Sequence, residues 1–139
     1  MITIRAGHPV EIEKIAEIMH YFPSGGCRAV VMTKDDEVIG AVLYDHWAYN
    51  SVNVHIYSKN PLTLSREFLF EIFNYPFVTC GRDLLIAITP EDSKGSLLFS
   101  KALGFRETYR FKEGWKPGID LIVKEMRREE CRYLQQKAA

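Results

Sequence analysis

At 139 residues the chain has the length of one domain with room for a sizeable core. Apolar residues make up 47% and charged residues 26%, a soluble globular balance, and no apolar run resembles a secretory leader or is long enough to span a bilayer. Lys plus Arg equals Asp plus Glu at 18 each, so the basic surface that marks a nucleic-acid partner is not expected. Cys27, Cys80 and Cys131 are odd in number, far apart and free of Cys-x-x-Cys or metal-ligand spacing. They read as structural thiols in a reducing compartment, which places the protein in the cytoplasm with no metal centre.

Ile2 to Arg5 alternates apolar and polar, as a first strand does. Gly7-His8 turns the chain, Pro9 suits a first helical turn, and Glu11 and Glu13 suit the positive end of a helix dipole. Ile12, Ile15, Ala16 and Met19 form the apolar stripe of that helix, which fails at residues 22–26, Phe-Pro-Ser-Gly-Gly. Ala29–Thr33 and Val38–Tyr44 are strands joined through the polar turn at residues 34–37, a hairpin. Residues 45–51, Asp-His-Trp-Ala-Tyr-Asn-Ser, break the pattern before a fourth strand at Val52–Tyr57.

Leu62–Tyr75 reads as the central helix, with Leu69, Ile72 and Phe73 on one face, Phe68 beside them and Pro76 ending it. Leu84–Thr89 is a short apolar strand stopped by Pro90. Asp92 or Ser93 can cap the helix that follows, whose apolar face is Leu97, Leu98, Ala102 and Leu103. Gly104 suits a left-handed helix end with Phe105 as its packing contact, and a strand starts at Arg106. Residues 112–118 read as a loop holding Trp115 and Pro117, and Ile119–Met126 as the last strand. The domain is therefore expected over residues 1–126, followed by a charged tail of helical propensity over 127–139.

The unit from Leu84 to Phe111 resembles the C-terminal half of GNAT-family N-acetyltransferases. The family's pattern is a strand, Asn-x-x-Ala/Ser, a helix ending in Gly-Phe, and a strand. Here Ser93 stands at the Asn position, Ser96 at the small one, and Gly104-Phe105 at the end. A generic strand–helix–strand packing unit produces the same letters. The run Asp45-x-Trp47-x-x-Asn50-Ser51-Val52-x-x-His55, followed by Ile56-Tyr57, is similar to small GNAT proteins encoded by bacteriophages.

The resemblance implies an α/β (α+β) fold, a mixed and mostly antiparallel twisted sheet of six or seven strands flanked by helices. It also implies acetyl-CoA as the acyl donor and a small-molecule or protein amine as acceptor. Strands four and five would part to make the cofactor cleft. Ile56, Tyr57 and Ser58 would meet the pantetheine from one side, and Ser93 and Ser96 from the other. The family's phosphate loop, Arg/Gln-x-x-Gly-x-Gly/Ala, is not matched: its Arg/Gln, Gly and Gly/Ala positions are Pro61, Leu64 and Arg66, with no glycine. Thr63, Ser65 and Arg66, with Lys59, can supply hydroxyls and charge instead. Ordinary capping of a core helix explains the same residues.

Family members use a strand-four Glu, or a water held there, as base. This strand has no Glu, and His55 is its titratable residue, of the type that takes up a proton near neutral pH. Asp45 and His46 are second candidates, placed beside His55 across the hairpin. The family's leaving-group acid is a Tyr on the helix ending in Gly-Phe, and the corresponding residue here is Ser100, which can hydrogen-bond the thiol or hold a water. Trp47, Asn50 and Trp115 would line the acceptor pocket, though aromatic residues pack cores and rims equally well. A GNAT-fold protein that has lost catalysis and acts through a protein partner is the competing expectation, and a homodimer is left open.

Overall fold

The computed structural model describes residues 1–134. Strands β1 (Ile2–Ala6), β2 (Arg28–Lys34), β3 (Glu37–Asp45), β4 (Ser51–Ser58), β5 (Leu84–Pro90), β6 (Arg106–Lys116) and β7 (Ile119–Arg127) form one seven-stranded sheet in the order β1-β2-β3-β4-β5-β7-β6. Every neighbouring pair is antiparallel except β4 and β5. Three α-helices accompany it: α1 (Pro9–Ile18), α2 (Arg66–Asn74) and α3 (Lys94–Leu103). This is the mixed, mostly antiparallel sheet with flanking helices that the sequence predicts.

The chain order dictates which face each helix covers. The steps from β4 to β5 and from β5 to β6 run the same way across the sheet, and each joins parallel strands. Right-handed crossovers then put α2 and α3 on one face. Phe68, Ile72 and Phe73 of α2 and Leu103 of α3 accordingly share a core with Val42, Tyr44, Val54 and Leu85. Ile15 and Ala16 of α1 pack on the opposite face, against Ala29, Val31, Ala41 and Leu43.

Gly104 ends α3 at φ +114°, and the Phe105 N–H reaches back to the Ser100 carbonyl at 3.0 Å, so the expected left-handed end is present. Five other expectations need correction. The central helix does not begin at Leu62: Asn60 caps a 3-10 turn at Pro61–Leu64, and Ser65 then caps α2 by accepting from the Phe68 N–H at 3.3 Å. Pro76 does not end it either. A π turn, Tyr75–Thr79, continues the helix and is closed by the Cys80 N–H on the Tyr75 carbonyl at 2.9 Å. Pro76 has no N–H for the Ile72 carbonyl one turn back, and that carbonyl accepts from the Tyr44 hydroxyl at 2.6 Å instead.

Residues 112–118 are not a loop throughout, because β6 runs on to Lys116 and only its pairing with β7 lapses between Phe111 and Lys116. In α3, Leu98 and Ala102 face solvent, and the inward side carries Ser100 and Leu103 with Phe99 packed against the core. The tail expected to be helical over 127–139 gives one 3-10 turn at Arg128–Glu130 and then buries Cys131 and Tyr133, the latter stacked on Phe73 at 4.9 Å. Its last five positions, 135–139, lie outside the described residues. No helix among the described residues is long and apolar enough to cross a membrane.

Candidate active site

β4 and β5 pair only through Ser51–Leu84, Val52–Leu85 and Asn53–Ile86. Beyond that point β4 stays with β3 and β5 stays with β7, so the two parallel strands part. Main-chain groups of Val54–Ser58 and Ala87–Pro90 that would have paired are left facing the gap. A cleft of about 570 Å³ opens there, walled by β4, β5, the start of α3 and the chain after α1. Ile56, Tyr57, Ser58, Ser93 and Ser96 all line it, as does Trp115. The amide-rich, partly apolar wall suits an extended ligand that carries its own amides.

His55 also lines the cleft and sits beside Asp45. Leu43 lies directly opposite His55 in the β3–β4 register, which makes Asp45 its diagonal neighbour on the same face of the sheet. His55 Nε2 and Asp45 Oδ1 are 2.9 Å apart. Asp45 has no exposed surface, its second oxygen accepts from the Ser24 N–H at 3.0 Å, and His46 Nδ1 lies 3.2 Å from Oδ1. Burial opposes its ionisation, but the hydrogen bonds from His55, the Ser24 N–H and His46 outweigh it and hold the carboxyl down at about 2. Tyr21 stacks on the His55 ring at 3.9 Å, leaving the histidine 17% exposed. Burial, with Asp45 adding to it, pushes the Tyr21 phenol far up, so it stays neutral.

The opposite wall carries a buried lysine. Lys124 on β7 is 5% exposed and its Nζ donates to Ser100 Oγ at 2.6 Å and to Thr89 Oγ1 at 2.7 Å. Sequence reasoning missed Lys124 and Tyr21. For Lys124 a signal exists: β7 alternates, and Lys124 falls between the inward positions of Ile122 and Met126. For Tyr21, which follows a helix end, the sequence carries none.

Trp47 and Asn50 are not brought to the cleft. The Trp47 indole donates to the Gly26 carbonyl at 3.0 Å and packs against Tyr44 and Tyr75, tying the loop after α1 to the core. Asn50 is exposed, and its carbonyl accepts from the N–H groups of Asp83 and Leu84. At the expected phosphate end, Thr63 is 1% exposed and its hydroxyl is used on the Asn60 carbonyl at 2.8 Å and on Ser58 Oγ at 2.5 Å. Ser65 is taken up as a cap, and Lys59 pairs with Glu37 at 3.0 Å. Arg66 is exposed at the start of α2, in none of the ion pairs among the described residues.

The fold has counterparts among solved structures. A protein of the GNAT acetyltransferase family from Desulfovibrio desulfuricans superposes with a TM-score of 0.71 at 18% identity, over 91% of this chain and 99% of that one. The chain has the GNAT fold. A mutant form of the spermidine/spermine N-acetyltransferase SpeG from Vibrio cholerae gives 0.73 at 14% identity over 98% and 99% of the two chains. The N-acetyltransferase PseH from Campylobacter jejuni, in complex with acetyl coenzyme A, gives 0.63 at 14% identity over 92% and 99%. No protein-family model and no curated protein sequence matches the chain. At these identities the likeness establishes the GNAT fold.

Proposed function

We propose that the chain is an acetyl-CoA-dependent N-acetyltransferase acting on a small-molecule or protein amine. The observation that carries this is the Asp45–His55 pair, set at the edge of the cleft that the parted strands create. An ionised carboxylate only accepts hydrogen bonds, so Asp45 fixes the proton on Nε2 and leaves Nδ1 of His55 as a lone-pair acceptor. That nitrogen is suited to take the proton of an acceptor ammonium, directly or through one water. Tyr21 holds the ring in plane and His46 adds a donor to the same carboxylate.

Acetyl-CoA supplies the activated acyl group. On this chain the free main-chain groups of residues 54–58, with Ser93 and Ser96, fit its pantetheine arm. Arg66, together with the first-turn amides of Arg66 and Glu67 that neither Asn60 nor Ser65 caps, fits its phosphates. SpeG and PseH are acetyltransferases, and PseH binds acetyl coenzyme A in this fold. SpeG acts on spermidine. Among the described residues no Asp or Glu lines this cleft, so a polycationic acceptor is disfavoured and a single amine suits it better.

Assay of acetyl transfer from acetyl-CoA to a panel of amines tests the reading, with His55→Gln as the control. Turnover should fall by about 100- to 10,000-fold in the variant, with coenzyme A affinity unchanged. A fully active variant would move the base to Asp45, His46 or a bound water. The glycine-free loop at residues 59–66, with its caps already spent, favours one competing reading: a binding protein without catalysis. A wild type that acetylates no amine decides for it.

A further inference from the structure

The position at which the GNAT resemblance expects a tyrosine acid holds Ser100, and the structure sets a lysine against it. Ser100 Oγ donates to the Leu97 carbonyl at 3.1 Å, so its single hydrogen is used within α3 and its oxygen accepts from Lys124. An ammonium has three N–H groups. Ser100 and Thr89 take two from Lys124, and the third has no protein acceptor among the described residues. Lys124 lines the same cleft as His55 but belongs to the α2/α3 face of the sheet, whereas His55 belongs to the α1 face. The gap between the parted strands joins the two.

No carboxylate among the described residues neutralises this ammonium. Glu107, its cross-strand neighbour on β6, is held by Arg110 at 3.2 Å, and the other titratable groups of the cleft are His20, Tyr21, His55 and Tyr57. A buried cation without a counter-ion is costly, and an apolar side chain of similar length would fill the space at less cost. Its place in a ligand-sized cleft, with an N–H left to give, suits a chemical role.

We propose that Lys124, held by Ser100 and Thr89, is the acid that protonates the departing thiolate of coenzyme A. This rests on the acetyl-transfer reading. The deprotonated acceptor nitrogen bonds to the thioester carbonyl carbon, and the carbon–sulfur bond breaks with its electron pair going to sulfur. Sulfur takes a proton from Lys124 Nζ, and the neutral lysine is reprotonated from solvent. His55 delivers the first proton of the acceptor ammonium to the same solvent, and the nitrogen loses a second as the carbon–sulfur bond breaks and the amide forms. One of these two offsets the proton that restores Lys124, so one proton is released per acetyl group transferred. Burial lowers the Lys124 ammonium to about 8, close to the range of an alkyl thiol at about 8.5, so transfer between them is nearly balanced. Ser100 is then a positioning residue, and the acid stands one hydrogen bond away from it.

Two measurements on the full chain test this, comparing wild type with Lys124→Met. Ionisation of the thiol of bound coenzyme A, followed by thiolate absorbance as pH rises, should occur at lower pH in wild type. The variant should shift it upward by about one unit, tenfold in ionisation constant. Turnover with acetyl-CoA should fall by about 100-fold or more. Turnover with a small aryl thioacetate, whose thiolate needs no proton to leave, should fall far less; equal losses with both donors mean a structural lysine and overturn the proposal. An active wild type with an unshifted thiol sinks the role of Lys124 alone. A wild type that binds coenzyme A with the Lys124-dependent shift but acetylates nothing sinks the acetyl-transfer reading instead, and with it the lysine's role as an acid in turnover.

Discussion

Asp45 and His55 meet because β3 and β4 are in a register that places Leu43, not Asp45, opposite the histidine. The diagonal offset lets a short carboxylate reach Nε2 at 2.9 Å from the last residue of its strand. A shift of one residue would turn the whole β4 face over and remove the contact. The chain after α1 closes over the pair from above, through the Ser24 N–H on Asp45 and the Tyr21 ring on His55.

Asp45 should make the protein acid-sensitive in a defined window. Its folded value, about 2, lies below the ordinary 3.8, so its contribution is complete above about pH 4 and is lost as pH falls towards 2. The magnitude is on the order of 2 kcal/mol. Denaturant unfolding from pH 7 to pH 2.5 should show Asp45→Asn less stable at pH 7 and flatter below pH 4 than wild type. Parallel curves would remove Asp45 as a source of the acid sensitivity.

Arg66 is the exposed cation nearest the first turn of α2 and takes part in no ion pair among the described residues. If it holds a phosphate of coenzyme A, Arg66→Ala should weaken binding by about 1.5–3 kcal/mol. Calorimetric titration at two salt concentrations checks this, because the lost contact is charge-assisted and the variant should also lose part of the salt dependence. Equal affinity of the two proteins would leave the α2 start a plain capped helix.

Gly40 fixes how close the phosphate-end turn can approach β3. A Cβ on it would stand 2.2 Å from Thr63 Cγ2 and 3.4 Å from the Tyr57 carbonyl oxygen. Gly40→Ala should therefore cost about 1–3 kcal/mol in stability. Adding Thr63→Ser removes the methyl while keeping the hydroxyl that bonds Asn60, so the double variant should recover most of the loss. Thermal unfolding of wild type and the two variants reads this directly, and a double variant no better than Gly40→Ala would locate the strain elsewhere.

Much of the fold is legible in the chain itself. Strands β1 to β5 show themselves through alternation in β1, short apolar runs such as β2 and β5, and the turn residues between them, and the Asp45–His55 pairing follows once β3 and β4 are taken as a hairpin. The ends of α2 are not legible, since Asn60 and Ser65 are both good caps five residues apart, and only packing decides that the first opens a 3-10 turn. Trp47 is misplaced by sequence reasoning because its indole partner, the Gly26 carbonyl, lies 21 residues away, and a single aromatic after a strand can turn to either side. Lys124 is invisible for a different reason. Alternation gives its face, but a lysine mid-strand reads as solvent-facing until Ser100 and Thr89 are seen to receive it.

Lys124 should also mark the stability curve on the alkaline side. Burial lowers its folded value to about 8 from an ordinary 10.5. Below about pH 8 the ammonium is buried at full cost. Between about 8 and 10.5 the unfolded chain holds more protons than the folded one, so stability rises with pH across that window. The rise attributable to Lys124 is on the order of 3 kcal/mol at 5% exposure. Lys124→Met carries no proton in either state, and its stability should lack this rise. Denaturant unfolding of both proteins at pH 7.5, 9 and 10.5 supplies the comparison, with other titrating groups cancelling in the difference. A wild-type curve parallel to that of the variant would mean that the ammonium is solvated in the cleft, and its proton would then be held too tightly for easy transfer to a thiolate at neutral pH.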